Sequence, residues 1–115
     1  AEMRRYGVTS NAIAPAARTR MTEGPFADMM KVPEDGFDAW APENISPLVV
    51  WLCSAGSRDV SGRVFECQGG KLWLSDGWRP LPPIDKGARW LPSEVGDVVA
   101  RLIDAAPAPA PCYGA

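Results

Sequence analysis

V-T-S-N-A-I-A-P-A-A-R-T-R-M-T, Val8 to Thr22, is the stretch whose reading decides the fold. Its first half, Val8 to Ala14, mixes β-branched and small residues without a charge. A short strand buried on both faces has that composition. Pro15 ends any ladder, because proline has no N–H to donate. Ala16 to Thr22 is then a polar loop carrying Arg18, Thr19 and Arg20. In an open α/β sheet, ligands bind just past the carboxyl ends of such strands, so this loop is the candidate ligand site.

Upstream, Met3 to Tyr6 are tolerable helix residues and Gly7 is a natural C′ stop. Ala1 to Gly7 has no initiator residue and no cap, so it reads as the last two turns of a helix. The expectation is a fragment, or a gene model that starts late. Downstream, Glu23 to Lys31 reads as a short helix carrying Phe26, Met29 and Met30, broken by Pro33-Glu34-Asp35-Gly36. Methionine adapts to irregular apolar shapes, so this cluster suits either a core or a binding surface.

Pro42-Glu43-Asn44 opens the next helix, with proline and an acid in the first turn, where both are favourable. Ile45, Leu48, Val49 and Leu52 recur at i, i+3, i+4 and i+7. Val50, Trp51 and Cys53 make the rest apolar too. A helix apolar on more than one side is buried on more than one side, here against the sheet and against another subunit. Pro47 distorts its first turns and Gly56 ends it. Asp59 to Gly62 is a turn. Arg63 to Gln68 is a strand whose main apolar content is Val64, Phe65 and Cys67. Gly69-Gly70 follows, and Lys71 to Leu74 is extended. Asp76 to Leu91 is a loop held by Trp78 and Trp90. Pro92-Ser93-Glu94 begins a last helix with the stripe Val95, Val98, Val99, Leu102 and Ile103, weakened by Gly96 by about 1 kcal/mol. Ala106 to Pro111 alternates alanine and proline and favours an extended polyproline tail.

The 115 residues fit one small domain. Apolar content of 46% and charged content of 23% are those of an ordinary globular protein. With a net charge of −2 and no basic patch, nucleic acid is excluded as a partner. No apolar run approaches the roughly 18 residues of a membrane span. The N-terminus has no charged-then-apolar signal pattern, which makes a cytoplasmic location the default. Cys53, Cys67 and Cys112 are too widely spaced for a metal knuckle, and there is no histidine.

Three motifs taken together carry a family resemblance. N-A-I-A-P (Asn11 to Pro15), P-E-N-I-S-P-L-V-V-W-L-C-S (Pro42 to Ser54) and D-V-S-G-R-V-F-E-C-Q-G-G (Asp59 to Gly70) stand in this order. The pattern resembles the C-terminal third of the short-chain dehydrogenase/reductase family, its last two strands and the helix between them. The Arg20-Met21-Thr22 ending and the P-L-V-V-W-L-C helix look like the (3R)-hydroxyacyl-CoA dehydrogenase unit of multifunctional enzyme type 2 and its bacterial relatives. The implied fold is α/β: part of a Rossmann-like doubly wound parallel sheet, with a C-terminal helical extension. Residues 1–75 would belong to the dehydrogenase domain, 76–105 to a loop-and-helix extension, and 106–115 to an Ala/Pro-rich tail.

The resemblance also implies roles. Pro15 and the backbone of Ala16 and Ala17 would line the nicotinamide of NAD or NADP, and Thr19 would offer its hydroxyl to the carboxamide or the adjacent phosphate. Met21, with Phe26, Met29 and Met30, would form a substrate lid. Alanine stands at position 16 where the family usually has glycine, and alanine resists φ > 0. Arg18 and Arg20 could each pair with a phosphate or stand as solvated loop arginines. The substrate class would be a hydroxyacyl thioester or a related secondary alcohol or ketone. A homo-oligomer would form through the Pro42–Ser54 helix and the Arg63–Gln68 strand.

The family's chemistry needs a tyrosine with a lysine four residues on, the lysine's charge lowering the tyrosine's pKa. Only Tyr6 and Tyr113 are present, and neither has that partner. A glycine-rich phosphate cradle between a strand and a helix is also missing. The chain is therefore expected to be inactive alone, and poorly soluble or oligomeric. The alternative is a truncated, non-catalytic module that associates with an intact family member.

Overall fold

The alternation in Arg63 to Gln68 becomes strand β2 (Val64–Gln68) of the computed structural model, which describes residues 3–76 and 79–108. Expectations for Trp78 and for the end of the tail lie outside those residues. Phe65 and Cys67 are buried on one face of β2, while Val64 is exposed on the other. The strand β1 (Ala12–Pro15) runs parallel to β2, in the register Ala12↔Val64 to Pro15↔Cys67. Three further strands are antiparallel. β3 (Lys71–Asp76) forms a hairpin with β2, and β4 (Arg79–Pro80) and β5 (Ile84–Asp85) both pair with β3. The Pro/Gly-rich stretch expected as a loop thus contributes two short edge pairings.

The hairpin turn is Gly69-Gly70. Gly69 has φ 54°, and a Cβ there would lie 2.9 Å from the Ala39 carbonyl oxygen. A Cβ on Gly70 would lie 2.6 Å from the Ala88 carbonyl oxygen. Two loops therefore cross the turn at backbone distance, and only glycine fits between them.

The stripe read near the C-terminus forms helix α2 (Pro92–Ala105), with Val95, Val98, Val99 and Leu102 buried. It starts at the expected proline. The Glu94 carboxylate accepts the Leu91 N–H (2.7 Å) and so satisfies a free donor at the helix start. Lys86 also bonds that carboxylate, and this holds Glu94 below its ordinary pKa. α2 packs beside α1 (Ser46–Leu52) on the inner face of the sheet. Leu48 of α1, Phe65, Cys67, Leu72 and Leu74 of the sheet, the α2 stripe and Trp90 make one core. Trp90 donates its indole N–H to the Gly70 carbonyl (2.7 Å), so it holds the stretch before α2 to the hairpin.

Five expectations need correction. The stretch Val8 to Ala14 enters the ladder only at Ala12, because Asn11 spends both ends of its side chain on the 60–63 turn, at Val60 O (2.9 Å) and Arg63 N (3.1 Å). Pro15 belongs to the strand. β1 is also not buried on both faces. It is an edge strand of this sheet, and Ala12, Ala14 and Pro15 are exposed. Glu23 to Lys31 is a succession of turns and no helix, since Gly24-Pro25 puts the two worst helix formers together. The helix from Pro42 breaks into a 3-10 turn (Pro42–Asn44), α1, and a second 3-10 turn (Ala55–Ser57).

The outer sides are uneven. Val49 (42%) and Val50 (53%) of α1 are exposed, as is Cys53. Both edges of β2 are occupied, by β1 and β3. A subunit contact at β2 would have to use side chains of its outer face. No helix among the described residues is long and apolar enough to cross a membrane.

Candidate functional site

Because β1 and β2 are parallel, both carboxyl ends reach the same edge of the sheet. Ala16 extends the ladder by one bond, donating its N–H to the Cys67 carbonyl (2.9 Å). No non-glycine residue among those described has positive φ. Alanine at 16 therefore sits in ordinary backbone, where glycine's freedom is not needed. The chain turns outward at Ala17, whose N–H has no intramolecular partner among the described residues.

Arg18 does not reach for an anion in solution. Its guanidinium is paired with the Asp38 carboxylate through both terminal nitrogens, and Nη1 also donates to the Met30 carbonyl (2.8 Å). The two side chains are only 15% and 20% exposed. The hydrogen bond from Arg18 holds the Asp38 carboxyl below its ordinary range, and the same bond raises the Arg18 pKa. Arg20 is exposed.

Thr19 is exposed, and its N–H donates to Thr22 Oγ1 (2.7 Å). The two hydroxyls lie 3.2 Å apart, and Thr22 Oγ1 is also within reach of the Ala17 and Thr19 carbonyls. Thr22 thus shapes the turn that presents the Thr19 hydroxyl. Beyond it Met21 (88%), Phe26 (48%) and Met29 (56%) stand exposed, whereas Met30 (7%) is buried.

A polar chain runs from this loop into the body of the fold. Asp38 Oδ1 accepts the Trp40 N–H (3.0 Å), and the Asp38 carbonyl accepts Asn44 Nδ2 (2.8 Å). Asn44 is 1% exposed, and its Oδ1 accepts Arg89 Nε (2.8 Å). Sequence reasoning singled out none of Thr22, Asp38, Asn44 or Arg89 as a functional group. Their partners lie 2 to 45 residues away, and no local pattern marks them. Next to this chain a shallow groove of about 250 Å³ is lined by Phe37, Ala39, Gln68, Lys71 and Asp85.

The loop thus offers an apolar wall (Pro15, Ala16), one free backbone N–H (Ala17) and one hydroxyl (Thr19). That set fits one side of a flat amide-bearing ring. Of the two loop arginines, Arg18 is already paired with Asp38 and Arg20 is exposed. Among the described residues no cluster of acidic, cysteine or histidine side chains could hold a metal.

No protein-family model matches the chain. Over 70 residues it is 37% identical to hydroxyacyl-CoA dehydrogenase ChsB1 of Mycobacterium tuberculosis, covering 61% of this chain and 22% of that protein. Over 73 residues it is 40% identical to the peroxisomal multifunctional enzyme type 2 of Mus musculus, covering 64% of this chain and 9% of that protein. Among solved structures, a short chain dehydrogenase from Mycobacterium avium is 59% identical over 99% of this chain and 36% of its own, with a TM-score of 0.50. The chain spans about a third or less of the length of these relatives. The similarity is to short-chain dehydrogenases and hydroxyacyl-CoA dehydrogenases, an oxidoreductase family. It bears out the resemblance carried by the three motifs and the Rossmann-like α/β class of the fold.

Proposed function

We propose, from this kinship with the short-chain dehydrogenases, that the chain forms the C-terminal wall of an NAD(P)-dependent oxidoreductase acting on a hydroxyacyl thioester or a related secondary alcohol or ketone. The observation that carries the reading is the 59% identity to a short chain dehydrogenase over 99% of the chain. The emergence of the Pro15–Thr19 loop at the carboxyl ends of two parallel strands supports it.

In this reading Pro15 and Ala16 pack against the nicotinamide, and Ala17 N–H and Thr19 Oγ1 hold its amide. NAD or NADP supplies the hydride acceptor or donor when bound. Met21, Phe26 and Met29 form an apolar lid over the acyl substrate, seated on Met30. The proton-transferring tyrosine and its lysine come from outside these 115 residues, as does the diphosphate cradle. The exposed Val49, Val50 and Cys53 of α1, with the outer face of β2, support association with a second subunit.

A segment exchange tests the reading. This chain replaces the matching third of the M. avium short chain dehydrogenase, and NAD(P)-dependent oxidation of a 3-hydroxyacyl-CoA is followed at 340 nm. The expected result is turnover, with Thr19→Ala raising the KM for the cofactor roughly fivefold to tenfold, about 1–1.5 kcal/mol for one lost hydrogen bond. A folded chimera that neither binds NADH nor turns over would overturn the proposal. The 115-residue chain alone is expected to show no saturable micromolar NADH binding.

A further inference from the structure

Residues 18 to 40 form a loop closed at its neck. Arg18 N–H donates to the Trp40 carbonyl (2.7 Å), so the chain enters and leaves at one point. Between these ends there is no helix or strand, only consecutive turns and irregular backbone. Loops of this length without regular structure are uncommon in compact domains and need their own restraints. Beside the neck bond and the Thr22 turn, one side chain ties the inner arm of the loop to its exit. The Arg18 guanidinium holds Asp38 at the exit of the loop and the Met30 carbonyl on its inner arm. Arginine suits this task because its planar, rigid fork makes several bonds at once, which a lysine point charge cannot do. The pair is largely withdrawn from solvent. Asp38 is in turn fixed to the fold by its carbonyl, through Asn44 to Arg89.

We propose that Arg18 is a positioning residue: it clasps the lid-bearing loop to its own neck, so that the Pro15–Thr19 wall and the Met21–Met30 arm move as one unit. The clasp is independent of the enzyme reading, while its consequence for substrate rests on that reading. The Arg18 guanidinium is already engaged by Asp38 and the Met30 carbonyl. It sets where the wall and the arm stand.

The first test uses the 115-residue chain and amide hydrogen exchange. Arg18→Met and Asp38→Asn are each expected to speed exchange at Met29, Met30 and Trp40 at least tenfold. Protection of the β2–β3 hairpin and of α2 should stay unchanged. Wild-type exchange across 19–40 in both variants would overturn the clasp. Should Arg18→Met also release the hairpin, the isosteric Asp38→Asn decides by the same criterion. The second test uses the chimeric enzyme. Arg18→Met is expected to raise KM for both acyl substrate and cofactor about tenfold, and Arg18→Lys is expected not to restore it. A loss confined to kcat would mean only a smaller folded fraction and would count against positioning. An inactive wild-type chimera would refute the oxidoreductase reading and leave the exchange result to judge the clasp.

Discussion

Gly96 sits within α2, where an alanine ordinarily adds about 1 kcal/mol. In this chain the opposite is expected. A Cβ at position 96 would lie 3.1 Å from Trp51 Nε1 and 3.7 Å from Cε2. Carbon contacts are optimal near 3.5–4.0 Å, so the indole must retreat by several tenths of an ångström. Trp51 packs against the core, and overpacking of this kind costs about 1–3 kcal/mol. Setting about 2 kcal/mol of overpacking against about 1 kcal/mol of helix propensity, Gly96→Ala should destabilise the chain by about 1 kcal/mol. That corresponds to a fall in Tm of roughly 4 °C for a domain of this size. Trp51→Leu removes Nε1 and Cε2, so in that background Gly96→Ala should stabilise by about 1 kcal/mol. The coupling between the two sites is then about 2 kcal/mol, well outside the ordinary range of additivity. Urea unfolding followed by far-UV circular dichroism reads all four proteins without depending on indole fluorescence. Equal effects of Gly96→Ala in the two backgrounds would refute the reasoning, because the glycine would then owe nothing to the tryptophan.

Other sites give sharper single effects. Gly70→Ala places a Cβ 2.6 Å from the Ala88 carbonyl oxygen and 2.8 Å from its nitrogen, so the hairpin and the 86–90 loop separate. Loss of cooperative unfolding or of soluble protein is expected, and wild-type stability would contradict the packing. Leu48→Ala empties a 1% exposed position in the core and should cost about 2–5 kcal/mol in denaturant titration. Burial pushes the Cys67 thiol up to about 11, so a thiol reagent at neutral pH should label the exposed Cys53 and spare Cys67 until the chain unfolds. Asp38 has a depressed folded-state pKa, so its contribution is present above the unfolded value of about 4 and is lost as pH falls through the lower folded value. Exchange protection of the 18–40 loop should therefore hold from pH 7 to pH 5 and fail in stronger acid, while Asp38→Asn should show no such acid step.

How much of this was legible follows from distance along the chain. α2 declared itself because its contacts follow one helical period, and Val95, Val98, Val99 and Leu102 all face inward. β2 did so through its alternation, though Val64 turned outward where it was read as apolar content. The loop after Pro15 does follow a parallel strand, because Pro15 and the polar residues after it are a local signal. The clasp was not legible. Arg18 and Asp38 are 20 residues apart, and Asn44 and Arg89 are 45 apart. Nothing local separates a paired arginine from a solvated one. Gly24-Pro25 was a visible breaker given too little weight beside the apolar Phe26, Met29 and Met30. The need for glycine at 69 and 70 is not local either, because the two loops that cross the turn come from positions 39 and 88.

The pairing of β1 with β2 also sets a timetable. The partners Ala12 and Val64 are separated by the same 52 positions as Asn11 and Arg63. A ribosome adding about 5–20 residues per second leaves β1 without its neighbour for roughly 3–10 s. The hairpin of β2 and β3 needs only a two-residue turn and closes in microseconds once made. Until β2 is made, the groups of β1 that pair with it are open to any other extended chain nearby. Through that interval the nascent chain depends on whatever shields Ala12 to Pro15, the stretch that leads into the Arg18 clasp.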